Sequence, residues 1–377
     1  MQTKTIWAII VIVLVVLGGW WLAQKPNTAA GETIKIGGAL GLTGICAEFG
    51  EGELKATTLA VEEINAAGGI NGKQLELISE DTQCDNKTTV SAFQKLINVD
   101  KVAAIIGPTW GDSFQGGYSF SQQAEIVSIS PSTAIEALEI SKQPVHFIFS
   151  TWFPARTETS ALQRYALSQR IKKVAVIHDQ DPFGIMSAEV FKERAEQNSI
   201  EIVDEQEVAV ETVDFRTVIA KIRTKTFDAV FASFITPESK AIFIKQAREQ
   251  GIRVPILSTA EIQNPSLLAS FSQVLEGVIY TYPKGSDDFD VFAEKYKTRF
   301  GVEPEGPSAS NAYDAVTILV AAMKKGGTEG KELERALLET SIPGVTYDTL
   351  RFSEKHQITG GEFEIKTIKD GEFVKVQ

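Results

Sequence analysis

The stretch from residue 34 to residue 84 constrains the fold most strongly, because its pattern is that of a strand, a helix and a second strand. The run 34–40 has β-branched residues spaced two apart and leads into a glycine-rich turn at 41–44. Apolar residues at 56–64 then recur at three- and four-residue spacing, which is typical of a helix with one buried face. Leucines alternate along a second strand that ends near Asp81. In such a unit the turn after the first strand is a natural place for a ligand.

The rest of the chain repeats this alternation of apolar runs and helical patterns in two series. Continuous apolar runs suit strands that are covered on both faces, as in a parallel sheet. The first series lies at 102–106, 126–129 and 147–149, and the second at 174–177, 200–203, 229–231, 254–257 and 278–280. A chain of 377 residues is long enough for two domains with separate cores. The sequence therefore predicts two doubly wound α/β domains.

The last third of the chain returns to helical patterns. These lie at 287–300, 308–325 and 331–339, with final strands at 349–352 and 363–367. Asp370-Gly371 predicts a hairpin turn near the end of the chain. The pattern alone assigns none of these elements to a particular domain.

Motifs around the first helix carry a family resemblance. They are Gly41-Leu42-Thr43-Gly44, Phe49-Gly50, Cys84-Asp85 and the string Ala-Val-Glu-Glu-Ile-Asn-Ala-Ala-Gly-Gly-Ile-Asn-Gly at 60–72. Over most of residues 34–377 the chain resembles the leucine/isoleucine/valine-binding proteins of ABC importers, which are type I periplasmic binding proteins. The resemblance implies two Rossmann-like doubly wound lobes joined by a hinge that the chain crosses three times.

The resemblance also implies where the lobes begin and end. The crossings are expected near 149–152, 280–283 and 347–351. Lobe 1 is then formed by 32–150 and 283–348, lobe 2 by 151–282 and 349–377, and residues 1–31 precede both lobes.

Ligands of doubly wound sheets bind outside the carboxyl ends of the strands, so the loops at those ends are the candidate site. Backbone N–H groups and hydroxyls at a helix start hold a carboxylate well, although Ser132 and Thr133 are equally explained as helix caps. A phenylalanine is more often a core residue than a pocket wall, but the resemblance implies that Phe49 and Phe183 cover the ligand. The predicted ligand-binding residues are Phe49, Gly111, Asp112, Ser113, Ser132, Thr133, Trp152, Phe183, Phe234 and Glu261.

Three positions depart from the family pattern. Gly111 stands where the family commonly has serine, Thr133-Ala134 reverses the usual small-residue-then-threonine order, and Ala260 stands at the acidic position with Glu261 beside it. A buried ammonium without a carboxylate partner is costly. Either the loops are shifted by one residue, with Glu261 meeting a positive group, or the ligand is not an ordinary α-amino acid.

The only two cysteines, Cys46 and Cys84, follow the first and second strands. These strands are neighbours in a doubly wound sheet, so a disulfide is geometrically reasonable, and export favours it. The resemblance instead implies a bridge from the Cys84 position to the loop after strand three, where this chain has Trp110. The prediction is therefore a rerouted Cys46–Cys84 bridge, and the alternative is two free thiols.

Composition and motifs weigh against several function classes. A net charge of −12 disfavours binding to nucleic acid, and three scattered histidines give no metal-ligand spacing. The glycine-rich turn matches neither a dinucleotide fingerprint nor a P-loop. His178-Asp179 is the nearest approach to a catalytic pair, and His178 continues an apolar strand. The sequence thus predicts no cofactor, no metal and no catalytic residue.

The apolar run 6–22, preceded by Lys4 and closed by two tryptophans, is about long enough to cross a bilayer. It is read either as a cleaved signal peptide, with processing near 28–30, or as a retained anchor. Both readings place the rest of the chain outside the cytoplasmic membrane, after a polar linker at 25–31.

The predicted function is capture of a small amino-acid-like, carboxylate or amide solute by hinge closure, followed by delivery to an ABC permease. The predicted partners are that solute and the permease subunits, and the protein is expected to be a monomer. One alternative is a receptor domain that passes a ligand signal to a membrane sensor protein. A hydrolase is the other alternative, and it would turn the bound compound over.

Overall fold

A computed structural model of the chain describes residues 33–136, 145–304 and 306–376, except for the side chains of 111–115. The apolar run 6–22 and the linker at 25–31 lie outside these ranges. No helix within the described ranges has both the length and the apolar character of a membrane span.

The first lobe is built on a five-stranded parallel sheet in the order β2-β1-β3-β4-β5. Its strands are β1 (Ile34–Leu40), β2 (Leu75–Asp81), β3 (Ala104–Ile106), β4 (Val127–Ser130) and β5 (Ile148–Ser150). Helices α1 (Ala47–Ala66), α2 (Asn86–Lys95) and α3 (Gly111–Ala124) connect them. Strands β1 and β2 are paired in register along their whole length, as the opening strand–helix–strand pattern predicts.

The second lobe is built on a seven-stranded sheet in the order β14-β13-β10-β9-β8-β6-β7, in which β13 is Phe363–Lys369 and β14 is Glu372–Lys375. The parallel strands are β6 (Lys173–Asp179), β7 (Glu201–Val208), β8 (Ala229–Ser233), β9 (Ile256–Ser258) and β10 (Ile279–Pro283). The helices in this part of the chain are α4 (Ala155–Ser168), α5 (Pro182–Gln197), α6 (Arg216–Ile222), α7 (Pro237–Glu249) and α8 (Pro265–Leu275).

The last third of the chain is divided between the two lobes. Helices α9 (Phe289–Phe300), α10 (Gly306–Gly326) and α11 (Gly330–Leu338) belong with the first lobe, where α10 packs along α1. A short ribbon of β11 (Ser341–Ile342) and β12 (Leu350–Arg351) follows. The antiparallel strands β13 (Phe363–Lys369) and β14 (Glu372–Lys375) then complete the second sheet.

A buried carboxyl group fixes the segment before the last crossing. Asp314 on α10 accepts hydrogen bonds from the backbone N–H groups of Val345 (2.8 Å) and Thr346 (2.9 Å). Burial raises the pKa of Asp314 to about 7, against the lowering effect of these hydrogen bonds. The residue boundaries of the lobes stay a proposal, which the membership of strands in the two sheets supports.

Most predicted elements appear within a few residues of their expected positions, and the hairpin turn at Asp370-Gly371 joins β13 to β14. Strand β7 is longer than the apolar run 200–203, because it is an edge strand whose outer half is polar and partly exposed. An apolar run marks only the covered part of such a strand.

Candidate ligand-binding cleft

The carboxyl ends of the two sheets meet across a cleft that apolar side chains close. Phe49 and Trp110 of the first lobe form one buried cluster with Ile235 of the second, and Phe183 packs against it. The rings of Phe49 and Trp110 lie 5.2 Å apart in an edge-to-face arrangement, which is favourable for aromatic pairs. The loops predicted to face the ligand therefore do come together between the lobes.

A disulfide joins the loops beside this cluster. Cys46 and Cys84 are bonded, with their Cα atoms 6.2 Å apart, so the rerouted bridge predicted from the sequence is confirmed. Gly41 lies directly against both sulfur atoms, and any Cβ there would clash with them. Gly50 similarly allows α1 to approach the backbone of Gly41. The glycine-rich turn is thus held by close packing.

Glu53 lies fully buried on α1, one turn after Phe49. The hydroxyl of Thr109 donates a hydrogen bond to Glu53 Oε2 at 2.5 Å and accepts one from the N–H of Gly41 at 3.0 Å. Ser132 lies close by, and its hydroxyl accepts a hydrogen bond from the N–H of Trp110 at 3.3 Å. Burial nevertheless raises the pKa of Glu53 to about 8, because hydroxyl donors only partly offset the loss of water. At neutral pH this carboxyl group is therefore mostly protonated.

The second lobe buries an ion pair at the same edge. Lys240 on α7 is fully buried, and its Nζ lies 2.6 Å from Glu261 Oε2 and 2.7 Å from Thr259 Oγ1. The Lys240 ammonium also lies 5.7 Å from the centroid of the Phe183 ring, within reach of a cation–π interaction. Lys240 thus neutralises the carboxylate of Glu261, which was predicted to meet a positive group.

A second carboxyl group lies behind this ion pair. Glu158 accepts hydrogen bonds from the N–H of Ala260 and the hydroxyl of Thr281, both at 2.8 Å. Burial, and then the negative charge of Glu261, raise the pKa of Glu158 to about 8. Glu158 is therefore mostly uncharged at neutral pH, so that Lys240 and Glu261 balance each other.

His178 and Asp179 have structural partners. The Asp179 carboxylate accepts the N–H of Ile235 at 2.7 Å and that of Asp181 at 3.3 Å. Burial raises the pKa of Asp179 to about 6. His178 Nδ1 lies 2.8 Å from the Asp179 carbonyl oxygen, and its Nε2 lies 3.3 Å from Glu205. Asp179 thereby fixes the strand-end loop that carries Ile235.

The predicted site residues fall into four groups. Phe49, Phe183 and Glu261 lie in the closed cleft, and the hydroxyl of Ser132 accepts a hydrogen bond from the N–H of Trp110 at 3.3 Å. Thr133 is buried beside Ser132, and its hydroxyl has no hydrogen-bond partner among the described residues. The backbone of 111–113 forms the start of α3, but the side chains of Gly111, Asp112 and Ser113 lie outside the described part.

Two predicted aromatics are packed away from the cluster. Phe234 lies in the lobe 2 core with Phe215 and Phe243, at ring distances of 5.2 and 5.5 Å, and its neighbour Ile235 reaches the cleft instead. Trp152 is buried at the first crossing, stacked on Phe153 at 4.3 Å. Their assignment as ligand contacts stays a prediction.

A small cavity and a larger groove lie along the described part of the cleft. A cavity of about 10 Å³ lies between the lobes, lined by Glu48, Phe49, Glu261, Asn264, Gly306 and Pro307. A groove of about 420 Å³ runs along the cleft mouth, between residues 44–49 and 236–239. Among the described residues no cluster of His, Cys, Asp or Glu is arranged to hold a metal ion.

The sequence did contain a signal for the two buried groups that the prediction missed. Glu53 follows Phe49 by four residues, so both lie on the buried face of α1. Lys240 precedes Phe243, Ile244 and Ala247 at helical spacing, so it lies on the buried face of α7. A charged residue on an apolar face is seldom fully buried without a specific partner. The neighbouring sequence does not show which residue Glu53 or Lys240 contacts.

Comparisons with known proteins agree with this geometry. Residues 33–371 match the family model described as periplasmic binding protein. The chain is 26% identical over 344 residues to the leucine-, isoleucine-, valine-, threonine- and alanine-binding protein of Pseudomonas aeruginosa, covering 89% of this chain and 90% of that one. It is also 26% identical over 355 residues to the Leu/Ile/Val-binding protein of Escherichia coli K12, covering 93% of this chain and 94% of the relative.

A solved structure gives the same result. The branched-chain amino acid transporter substrate-binding protein LivJ of Streptococcus pneumoniae, solved with isoleucine, superposes with a TM-score of 0.81 at 25% identity. The match covers 92% of this chain and all of that one. The chain therefore belongs to the periplasmic binding protein family, and it shares the type I fold of relatives that are named as branched-chain amino-acid-binding proteins.

Proposed function

We propose that this protein is an extracytoplasmic solute-binding protein that captures a small polar solute by closure of its two lobes and delivers it to an ABC permease. The single observation that carries this proposal is the cleft itself. Buried polar groups from both lobes lie at the carboxyl ends of the sheets, under aromatic side chains contributed by both lobes.

Closure is the mechanism that this geometry supports. The cluster of Phe49, Trp110 and Ile235 is continuous only when the lobes are together, so opening the hinge would expose it to water. A solute that contacts both lobes favours the closed state over the open one, and that differential affinity drives the change. The protein makes and breaks no bond in this cycle.

The first experiment is native mass spectrometry of the full-length protein, purified without refolding in mild detergent, followed by calorimetric titration and small-angle X-ray scattering. We expect a bound small solute, or one that can be added, and a decrease in the radius of gyration when it binds. A protein that binds no solute and keeps the same radius under all conditions would contradict the proposal.

Phe183→Ala tests whether the aromatic cover contributes to binding. Removing a partly buried ring from the cleft wall should weaken solute binding about tenfold, the equivalent of about 1.4 kcal/mol. Phe300→Ala is the matched control, because Phe300 is also partly buried but packs at the end of α9, away from the cleft. The dissociation constants are measured by calorimetry, and equal effects of the two substitutions would argue against a role for Phe183.

A further inference from the structure

Helix α4 carries basic side chains along one of its faces. Arg156, Ser160 and Arg164 recur every four residues, a spacing that places side chains on the same face of a helix. Helix α5 packs beside α4 and contributes a third guanidinium group, that of Arg194. Three arginines are therefore brought to one region of the second lobe.

These three arginines line a groove that is separate from the cleft between the lobes. Its volume is about 530 Å³, and the arginines line it together with Thr157, Ser160 and the segment 361–363. None of these residues lines the small cavity between the lobes or the groove at the cleft mouth. Helices α4 and α5 and strand β13 all pack with the second sheet, so the shape of the groove does not require closure of the cleft.

Some of the charges in and around the groove balance one another. Arg156 Nη1 lies 2.6 Å from Glu193 Oε2, and its Nε lies 3.9 Å from Glu136 Oε1. Glu362 also lines the groove, and its Oε2 lies 3.3 Å from Lys284 Nζ. Arg156 and Glu362 are thus each neutralised by a partner of opposite charge.

Arg164 and Arg194 have no such partner. Neither forms an ion pair or a side-chain hydrogen bond with the residues that the structure describes. The Nε of Arg194 is buried and lacks an acceptor among them, which is an unfavourable state for a charged donor. Two guanidinium groups that face one groove without a carboxylate indicate that an anion occupies it.

The donors of this groove suit a phosphate group. A guanidinium group presents N–H donors in a planar fork that matches the oxygens of phosphate, and two such groups match two negative charges. The hydroxyl of Thr157 has no partner among the described residues and can donate a further bond, whereas that of Ser160 already donates to the Arg156 carbonyl oxygen at 2.5 Å. A chain with a net charge of −12 repels anions at long range, so only such local contacts would hold one.

We propose that the groove between α4, α5 and the segment 361–363 is a second binding site, which takes inorganic phosphate or a small phosphate monoester as its dianion. Arg164 and Arg194 bind the phosphate oxygens, and Thr157 donates a hydrogen bond to them. Phe363, which also lines the groove, offers an apolar surface to the organic part of an ester. This site is independent of the cleft, so phosphate and a solute in the cleft bind at the same time.

The test compares two anions of one shape and different charge. Methyl phosphate is mostly a dianion at about pH 7.5, whereas methyl sulfate carries a single charge. Both are titrated by calorimetry into the full-length protein in about 0.15 M sodium chloride, where long-range electrostatics are screened, with inorganic phosphate as a third ligand. We expect methyl phosphate to bind at least about tenfold more tightly than methyl sulfate, as the loss of one charge-assisted contact predicts. Equal affinities for the two esters, or no binding of either phosphate, would overturn the inference.

Single substitutions locate the site. Arg164→Gln and Arg194→Gln should each weaken methyl phosphate binding at least about tenfold, because each removes a guanidinium group from the groove. Arg223→Gln is the matched control, since Arg223 is an exposed arginine in the same part of the chain that does not line the groove. Arg164 is itself exposed, so its variant keeps the test decisive if Arg194→Gln does not fold. Phosphate affinities that are the same in Arg164→Gln and Arg223→Gln would contradict the inference.

Vesicle sedimentation separates a soluble phosphate from the phosphate of a lipid headgroup. Vesicles of phosphatidylglycerol and of phosphatidylcholine are mixed with the full-length protein and with Arg164→Gln/Arg194→Gln, so that any contribution of the apolar run 6–22 is common to both. We expect the two proteins to sediment equally with each kind of vesicle. Binding to phosphatidylglycerol that is lost in the double variant, without binding of free phosphate, would overturn the inference and indicate a lipid surface as the partner.

Discussion

The two lobes bury a carboxyl group at equivalent edges of their sheets in two different ways. In the first lobe Glu53 accepts a hydrogen bond from the hydroxyl of Thr109, and burial raises its pKa to about 8, so protonation keeps it neutral. In the second lobe Glu261 is neutralised by an ammonium group 2.6 Å away. The first arrangement depends on pH, and the second depends on one lysine.

The loops around these groups differ as well. The first lobe joins its two strand-end loops covalently through Cys46–Cys84. In the second lobe, backbone N–H groups donate hydrogen bonds to Asp179 and Glu158, and Lys240 donates one to Thr259, and these bonds hold the loops. The comparison indicates that the first lobe has the more rigid edge and the second the more charge-dependent one.

Lys240→Met should break the second arrangement and have the largest effect on stability. It leaves the buried carboxylate of Glu261 without its cation, and breaking a buried pair in this way costs roughly 3–5 kcal/mol. The free energy of unfolding is measured by urea titration, with the exposed Lys245→Met as the control.

The double variant Lys240→Met/Glu261→Gln sharpens this result, because it removes both charges. We expect it to recover more than half of the loss, since no unpaired charge is then buried. A double variant that is as unstable as Lys240→Met alone would show that packing of the lysine stem, rather than charge pairing, is what matters.

Removing the disulfide with Cys46→Ser/Cys84→Ser should have the next largest effect. The bridge closes a loop with a sequence separation of 38, and the chain-entropy model gives about 3–4 kcal/mol for such a loop. Hydrogen exchange should increase in residues 41–49 of the first lobe and stay unchanged around Glu261 in the second. Faster exchange in both lobes to the same degree would contradict the idea of a locally stiffened edge.

The pH dependence of stability tests the first arrangement. The pKa of Glu53 is raised from 4.5 to about 8 on folding, so the folded protein keeps a proton that the unfolded chain loses. Stability from this group is therefore fully present below about pH 4.5 and is lost as the pH rises toward 8. Glu53→Gln should reduce the fall in unfolding free energy between pH 5 and pH 8.5 by roughly 1–4 kcal/mol.

Glu51→Gln is the control for this prediction, because Glu51 lies on the same helix with an exposed side chain. Urea titrations at the two pH values give the comparison. Glu158 contributes a pH dependence of the same sign from the second lobe, so a residual slope in Glu53→Gln is expected. An identical slope in Glu53→Gln and the unsubstituted protein would rule out a neutral, buried Glu53.

Much of the fold followed from local pattern. The alternating strand and helix periods predict the order of the elements, and the position of Cys46 and Cys84 after neighbouring strands predicts their bond. The predicted strand bounds were too short where a strand is exposed and polar, as along the outer half of the edge strand β7. At the site, the family resemblance implied Phe49 and Phe183, and Glu261 was predicted because it lies beside the family's acidic position. All three lie at the closed cleft.

The sequence by itself therefore determined the two-lobed architecture, the family and the edge of each sheet that faces the other lobe. Only the tertiary structure decided that Glu53 meets Thr109, 56 residues further along the chain, and that Lys240 meets Glu261, 21 residues further along. Periodicity shows which face of a helix is buried, because that depends on neighbours within a few residues. The partner of a charged group on that face comes from another strand end, and only packing brings the two together.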